Sequence, residues 1–404
     1  MTDELEDHEG TVSIGGRTTN SLRFADDIDG LAEQERELVS LIDRLGKTSI
    51  AYRTEISAKK TRLMSKSNKN ITVDIQNISS AMRGLNLPRT ALSVAVFIFL
   101  LTNVAEGAIT RKHFIASEEI DWQYTNGDMS NLLDLNDQSS AEAFLRTSRD
   151  RIGATYKKAI YEEYTDNTFT QKKKKPPSRG LVGPLLRAEI GDTVEITYFN
   201  NASREYSLHP HGLFYLKQHE GAIYLDGTSG RRKYDDIVFP GETVKLIWNV
   251  TESDAPGPDD PNCIPWVYHS HLNTVRDTSA GMMGVMITCR PGTLDSNGKR
   301  KDVEVEYPLL VKIWDENLSW YIDENAGRCL SPSACQKLKE DEDEGFIESN
   351  YMAAINGFMF GHLPDLSACV GRKVAFYLVG MGNEFDIHSL HFHGQNLHYQ
   401  HTDR

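Results

Sequence analysis

Histidine binds transition metals through a neutral ring nitrogen, and in this chain its spacing is uneven. Of 13 histidines, seven fall in three short strings: His209-Pro210-His211-Gly212, His269-Ser270-His271 and His388-Ser389-Leu390-His391-Phe392-His393-Gly394. In an extended strand residues i and i+2 share a face about 7 Å apart, so a His-X-His pair can offer one imidazole to each of two neighbouring ions. Two such pairs can flank a polynuclear site. Clustered imidazoles without a thiolate suit copper, zinc, iron or nickel, and the spacing does not choose among them. The bland alternative is that each is a hydrogen-bonded strand histidine; gathering into three strings weighs against it.

Such pairs need strands to hold them, and the sequence beyond residue 180 supplies short ones. Residues 193–199 place Val194, Ile196 and Tyr198 on one face, and residues 243–248 alternate Val244, Leu246 and Trp248. Residues 284–289, 303–313 and 374–379 are further candidates, with turns at Gly191-Asp192 and Pro240-Gly241-Glu242. Long helical periodicity is missing here, which predicts an all-β sandwich or barrel. The chain has 404 residues, with 58 Asp+Glu against 44 Lys+Arg and a formal charge of −14. That fits two or three domains and excludes a dedicated nucleic-acid binder. A composition 25% charged, with one apolar run too short to span a bilayer, excludes a multispan membrane protein. The runs at residues 172–175 and 341–344 read as solvated loops.

All five cysteines lie from Cys263 onward. Cys263 and Cys289 bracket a loop and a strand and are expected partners in an oxidising compartment, and Cys329 and Cys335 are close enough for a local bridge. Cys369 is left over, its partner expected beyond Arg404. Asn201, Asn249 and Asn317 head Asn-X-Ser/Thr sites compatible with glycans.

The region before residue 109 differs in kind. Residues 91–101 are apolar, follow Arg83 and Arg89, and run into Ala105-Glu106-Gly107-Ala108, which reads as a secretory signal peptide over residues 82–108 with Met82 where an initiator would sit. Residues 1–81 ahead of it point to a joined reading frame or a genomic insertion. Within them, residues 12–18 and 22–28 suggest strand, turn, strand with Asp26 and Asp27 at the turn. With the polar helix expected over residues 33–45 and the string at residues 55–64, this resembles the reverse transcriptases of non-LTR retroelements over residues 11–67. The resemblance implies that Asp26 and Asp27 are polymerase metal ligands. The upstream catalytic Asp and the rest of that fold are missing, so an inert, poorly ordered α+β remnant is expected, and a polymerase function is set aside.

Residues 109–404 resemble a second family. The strings Asp150-Arg151-Ile152-Gly153, residues 161–166 (Tyr-Glu-Glu-Tyr-Thr-Asp), residues 219–224 (His-Glu-Gly-Ala-Ile-Tyr), Trp320-Tyr321-Ile322-Asp323 and residues 380–384 are similar to the N-terminal part of the multicopper ferroxidases typified by ceruloplasmin and hephaestin. The related A domains of clotting factors V and VIII share them. The resemblance implies tandem cupredoxin domains, which are Greek-key β-sandwiches, at residues 109–292 and from 302 to 404, the second incomplete. It implies that His209 serves a type 2 copper and His211, His269 and His271 a type 3 pair, together half of a trinuclear site. The other half would come from later cupredoxin domains of the same chain. It also implies that His388 is one ligand of a type 1 copper, and that Lys217 (by its carbonyl), Asp235 and Asp236 form a calcium loop. His391 and His393 complete a His-X-X-His-X-His that departs from the ceruloplasmin pattern; either the domain order differs or a second half-site exists. The implied activity is oxidation of a small reductant, foremost Fe(II), with O2 reduced to water. The implied location is secreted or on the extracellular face of the plasma membrane, membrane-bound only with a C-terminal anchor. The rival is a non-enzymatic A-domain protein using copper and calcium for domain packing or partner binding.

Overall fold

A strand stays in place only if each face finds cover, and here the cover comes in layers. The computed structural model describes residues 12–14, 17–19, 109–125, 138–382 and 388–393, with two short strands at His398–Tyr399 and Thr402–Asp403. The chain divides into compact units at residues 1–86 and 87–404. In the first unit the described part is one antiparallel hairpin, β1 (Val12–Ile14) with β2 (Arg17–Thr19). The first strand pairs with residues 17–19, within the string read as one strand; residues 22–28 lie outside the described residues. Asp26, Asp27, the helix expected at 33–45 and the signal peptide expected at 82–108 lie outside the described residues.

The second unit is mostly β. A five-stranded sheet has the order β4-β3-β6-β9-β8, from β3 (Thr110–Gln123), β4 (Thr155–Tyr164), β6 (Thr193–Asn201), β8 (Phe214–Tyr215) and β9 (Thr243–Asn249). A four-stranded sheet has the order β5-β11-β10-β7, from β5 (Leu186–Glu189), β7 (His209–Pro210), β10 (Cys263–His269) and β11 (Met283–Cys289). Val194, Ile196, Tyr198, Leu246 and Trp248 point into one core with Leu186, Tyr268 and Met286. A three-stranded sheet, β13-β12-β14, follows, from β12 (Val305–Asp315), β13 (Tyr351–Ile355) and β14 (Val374–Gly380).

The layers share a strand. All seven residues of β11 are buried. Met286 joins the core between the first two sheets, while Met283, Val285 and Ile287 join a second core with Leu310, Trp314 and Val379 of the third sheet. Each such side chain contributes roughly 1.5–3 kcal/mol when taken out of water. Polar groups cross the same join: Lys158 on β4, fully buried, donates to Glu316 Oε1 at 2.5 Å and to Ser279 O at 2.6 Å. Tyr124 also donates to Glu316 Oε1.

The Cys263–Cys289 bridge forms between residues directly opposite on β10 and β11, and Cys329–Cys335 forms within a helical stretch, leaving Cys369 free and exposed. Three short helices, Ile322–Ala326, Pro332–Glu340 and Glu344–Glu348, occupy the loop between β12 and β13. Both charge runs are mostly exposed, as expected, with individual side chains tied down. Lys173 pairs with Glu163 at 2.8 Å and Lys175 with Glu162 at 2.9 Å, two contacts from the lysine run to β4. Asp343 caps the helix Glu344–Glu348 by accepting from the Phe346 N–H. Among the described residues no helix is long and apolar enough to cross a membrane.

Candidate metal centre

Strand pairing sets where the histidines go. β7 and β10 run antiparallel with His209 directly opposite His269. The His211 N–H donates to Val267 O at 2.9 Å, and the His271 N–H donates to Ser207 Oγ at 2.9 Å, which extends the register at both ends. With two-residue periodicity, all four imidazoles then share one face. Two glycines make the approach possible. Gly212, at φ +67°, lies so close to the Trp266 indole that a Cβ would overlap it, and Gly221, at φ +71°, would place a Cβ 2.2 Å from Leu208 O.

The four rings form a wall. Ring centres are 4.9 Å apart for His209 and His271, 5.0 Å for His211 and His269, 5.3 Å for His209 and His211, and 5.4 Å for His269 and His271. His209 and His269 are almost completely buried. Their Nδ1 atoms lie 2.7 Å from Glu220 O and 2.8 Å from Ser270 O, so each Nδ1 carries the proton and donates, which makes Nε2 the lone-pair nitrogen; that of His269 accepts from His211 Nε2 at 2.8 Å. Burial pushes both imidazoles down to about 3, assisted by the neighbouring histidines, so they are neutral and able to donate electrons at any physiological pH.

The donor set fits a metal. His211 Nε2 and His269 Nε2 are 2.8 Å apart, less than twice a metal–imidazole bond of about 2.0–2.1 Å, so one ion can accept both. Among the described residues no three His, Cys, Asp or Glu side chains already gather around a single point. The wall therefore offers imidazoles in pairs, to be completed by ligands from elsewhere, and does not form a finished cage.

The other sequence-nominated residues are arranged differently. His391 and His393 have ring centres 4.8 Å apart and are exposed, as is His388, while Phe392 between them packs on Phe376. Residues 383–387 and 394–397 around them lie outside the described residues. At the acidic loop, the Lys217 ammonium sits among carboxylates, 2.8 Å from Asp236, 3.2 Å from Glu220 and 3.3 Å from Asp226, and Lys233 also pairs with Asp236 at 2.9 Å. Asp235 takes the Gly221 N–H on one oxygen, its other oxygen is buried without a partner, and burial pushes its carboxyl up. Asp235 thus has an oxygen to spare for a cation, whereas Asp236 is already neutralised by two ammonium groups.

The sequence nominated Glu220 only as part of a family string, and Ser207 not at all. Glu220 acts through a backbone carbonyl that any residue could supply, and Ser207 through a hydroxyl too common in loops to single it out. Among the glycan sites, Asn201 is exposed, but Asn317 is fully engaged: its amide donates to Asp315 and Ile347 O and accepts from Asn350, each at 3.0 Å.

Residues 177–292 match the family model described as multicopper oxidase. Mouse hephaestin is 46% identical over 305 residues, covering 74% of this chain and 26% of hephaestin. Mouse ferroxidase HEPHL1 is 44% identical over 295 residues, covering 72% of this chain and 25% of that protein, and human ceruloplasmin is 40% identical over 307 residues, covering 76% and 28%. The chain spans about a quarter of the length of these relatives. Among solved structures, a copper nitrite reductase from Nitrosomonas europaea matches over 68% of both chains at 18% identity and a TM-score of 0.36, too loose a likeness to bear on the fold. The chain carries a multicopper oxidase domain, and the four-imidazole wall lies inside it.

Proposed function

We propose that residues 109–404 are part of a secreted or cell-surface multicopper oxidase, ferroxidase-like in activity, that oxidises Fe(II) and reduces O2 to water, and that His209, His211, His269 and His271 are its half of a trinuclear copper site. The observation that carries this is the wall itself: four imidazoles on one face, two with their Nδ1 protons engaged by carbonyls so that Nε2 carries the lone pair. Copper held there would supply one-electron redox chemistry and a place for dioxygen to bind.

The chain's own residues have simpler tasks. Glu220 O and Ser270 O hold two rings in the tautomer that presents Nε2, as outer partners of metal-binding histidines commonly do. Burial keeps His209 and His269 unprotonated and keeps bulk water from the inner edge of the wall. Ser270 stands between the paired histidines and Cys263, at the far end of β10, is held in a disulfide, so that strand supplies no thiolate to the wall. His388 would contribute to a type 1 copper, and His391 with His393 either to a second half-site or to the one site under a different domain order. Calcium at the Lys217 carbonyl, Asp235 and Asp236 is a separate reading, supported by the orphaned Asp235 oxygen and requiring Lys217 and Lys233 to leave Asp236. The two disulfides agree with an extracellular location.

The test has two arms. The purified chain should take up copper through the four histidines, and it should show no Fe(II) oxidation above background, because half of the ligands are missing. Turnover by residues 109–404 alone would overturn the split-site reading. Absence of histidine-dependent copper uptake would overturn the site itself.

A further inference from the structure

Trp320 and Tyr321 follow β12, in the part of the chain that builds the third sheet, yet the polar tips of both side chains lie among residues of the first two. Trp320 Nε1 donates to Asp277 Oδ1 at 2.8 Å. Its ring also faces the guanidinium groups of Arg204 and Arg276, 4.2 and 4.3 Å from the ring centre. The Tyr321 hydroxyl donates to Glu119 at 2.9 Å and meets the Tyr206 hydroxyl at 3.0 Å.

Asp277 is fully buried in the helix Thr274–Ala280, immediately after the second His-X-His pair. Its Oδ2 accepts from Ser270 Oγ at 2.7 Å and from the Leu272 and Asn273 N–H groups, each at 3.1 Å. Ser270 Oγ accepts from the Ser207 N–H at 3.0 Å, and Ser207 Oγ accepts from the His271 N–H at 2.9 Å. One carboxylate therefore fixes both the residue between His269 and His271 and the turn that follows, and two serines tie that stretch to the chain entering His209. A buried carboxylate with this many donors is satisfied only while all of them stay in place, so displacement at one end is felt at the other.

We infer that Trp320 and Asp277 are positioning residues for the four-imidazole wall: the Trp320 indole N–H orients Asp277, and Asp277, through Ser270 and Ser207, sets the placement of His269 and His271 against His209. Neither side chain needs to touch a metal. The region of the third sheet thereby takes part in shaping a site whose ligands all lie on, or just beyond, β7 and β10 of the four-stranded sheet. The inference rests on the copper reading for its purpose but not for its geometry.

Trp320→Phe keeps a ring between the guanidinium groups and removes the donor; Asp277→Asn keeps the volume and exchanges an acceptor for a donor. In the full chain without metal, nitrogen NMR of isotopically labelled imidazoles reads ring tautomer and surroundings, while thermal melting reads the fold. The imidazole signals of His269 and His271 should move in both variants, more in Asp277→Asn. Cu(II) affinity should fall on the order of 10-fold, the scale of losses when an outer partner of a metal-binding histidine is removed. Trp320→Phe should stay folded. Unmoved imidazole signals in a folded Trp320→Phe chain would overturn the inference. A wild-type chain that takes up no Cu(II) would overturn only the copper reading, since the signals of the metal-free variants still decide the positioning claim.

Discussion

Two stretches of this chain carry closely spaced histidines, and they differ in what stands behind them. At β7 and β10 each imidazole is set by a neighbouring strand: His209 faces His269 in register, His211 is anchored to Val267, and His271 to Ser207. At residues 388–393 the histidines are exposed, and the contact described between them is the His391–His393 ring pair. The same residue type at the same spacing gives a pre-organised wall in one place and an open surface in the other. Spacing nominates ligands; cross-strand pairing and the groups behind the rings make them ready.

That contrast can be broken most directly by removing an imidazole from each stretch. His269→Ala should lower the chain's copper affinity by roughly 100-fold, beyond what loss of an outer partner does, whereas His391→Ala should leave the tightest copper uptake unchanged. Titration calorimetry on both variants checks this, and equal losses would end the distinction. Next in size, replacing Cys263 and Cys289 together by Ser should cost about 2–4 kcal/mol in urea unfolding. The bridge lies at the end of β10 remote from His269, so copper affinity should fall much less than stability; matching losses would mean the wall depends on the whole strand. Gly221→Ala, which must place a Cβ against Leu208 O at positive φ, should cost about 1–3 kcal/mol and disturb the His209 ring through the Glu220 carbonyl. Unchanged melting would deny that this turn is constrained.

The smallest effect is one of pH. Burial pushes the Glu119 carboxyl up, but hydrogen bonds from Ser203, Lys157 and Tyr321 outweigh it and bring the group down to about 2. The unfolded chain therefore binds more protons than the folded one between about 4.5 and 2. The stabilisation is complete above that range and is lost as pH falls through it. With partial solvent screening it should amount to about 1–2 kcal/mol. Glu119→Gln should flatten the acid limb of a stability-against-pH curve, and an unchanged limb would assign acid sensitivity elsewhere.

Much of the fold was legible because its signals are local. Val194, Ile196 and Tyr198 alternate as a half-buried strand must, and Met283–Cys289 reads as apolar but for Thr288 because it is covered on both sides. The strands β3 and β4 were not legible. Lys158, Glu162 and Glu118 occupy inward positions and break the apolar pattern, and their partners, Glu316, Arg179 and Lys172, are far off or beyond a turn. The wall was legible as two pairs of histidines. Its supports were not: Asp277 reads as an ordinary acidic residue in a short helix until Ser270 and Trp320 are brought against it. Lys217 was nominated for its carbonyl, and only its surroundings reveal that its ammonium competes for the same carboxylates.

A strand wet on neither side leaves no neutral place to cut. Because β11 lends alternate residues to two interiors, a recombinant piece ending near Gly292 would bare Met283, Val285 and Ile287 along one continuous oily stripe. Such a piece is expected to clump or to recruit a substitute cover. The shortest stretch that can be handled as an independent object must therefore run through β12 and β14, and any evolutionary shuffling of this module would have had to move the covering sheet with it.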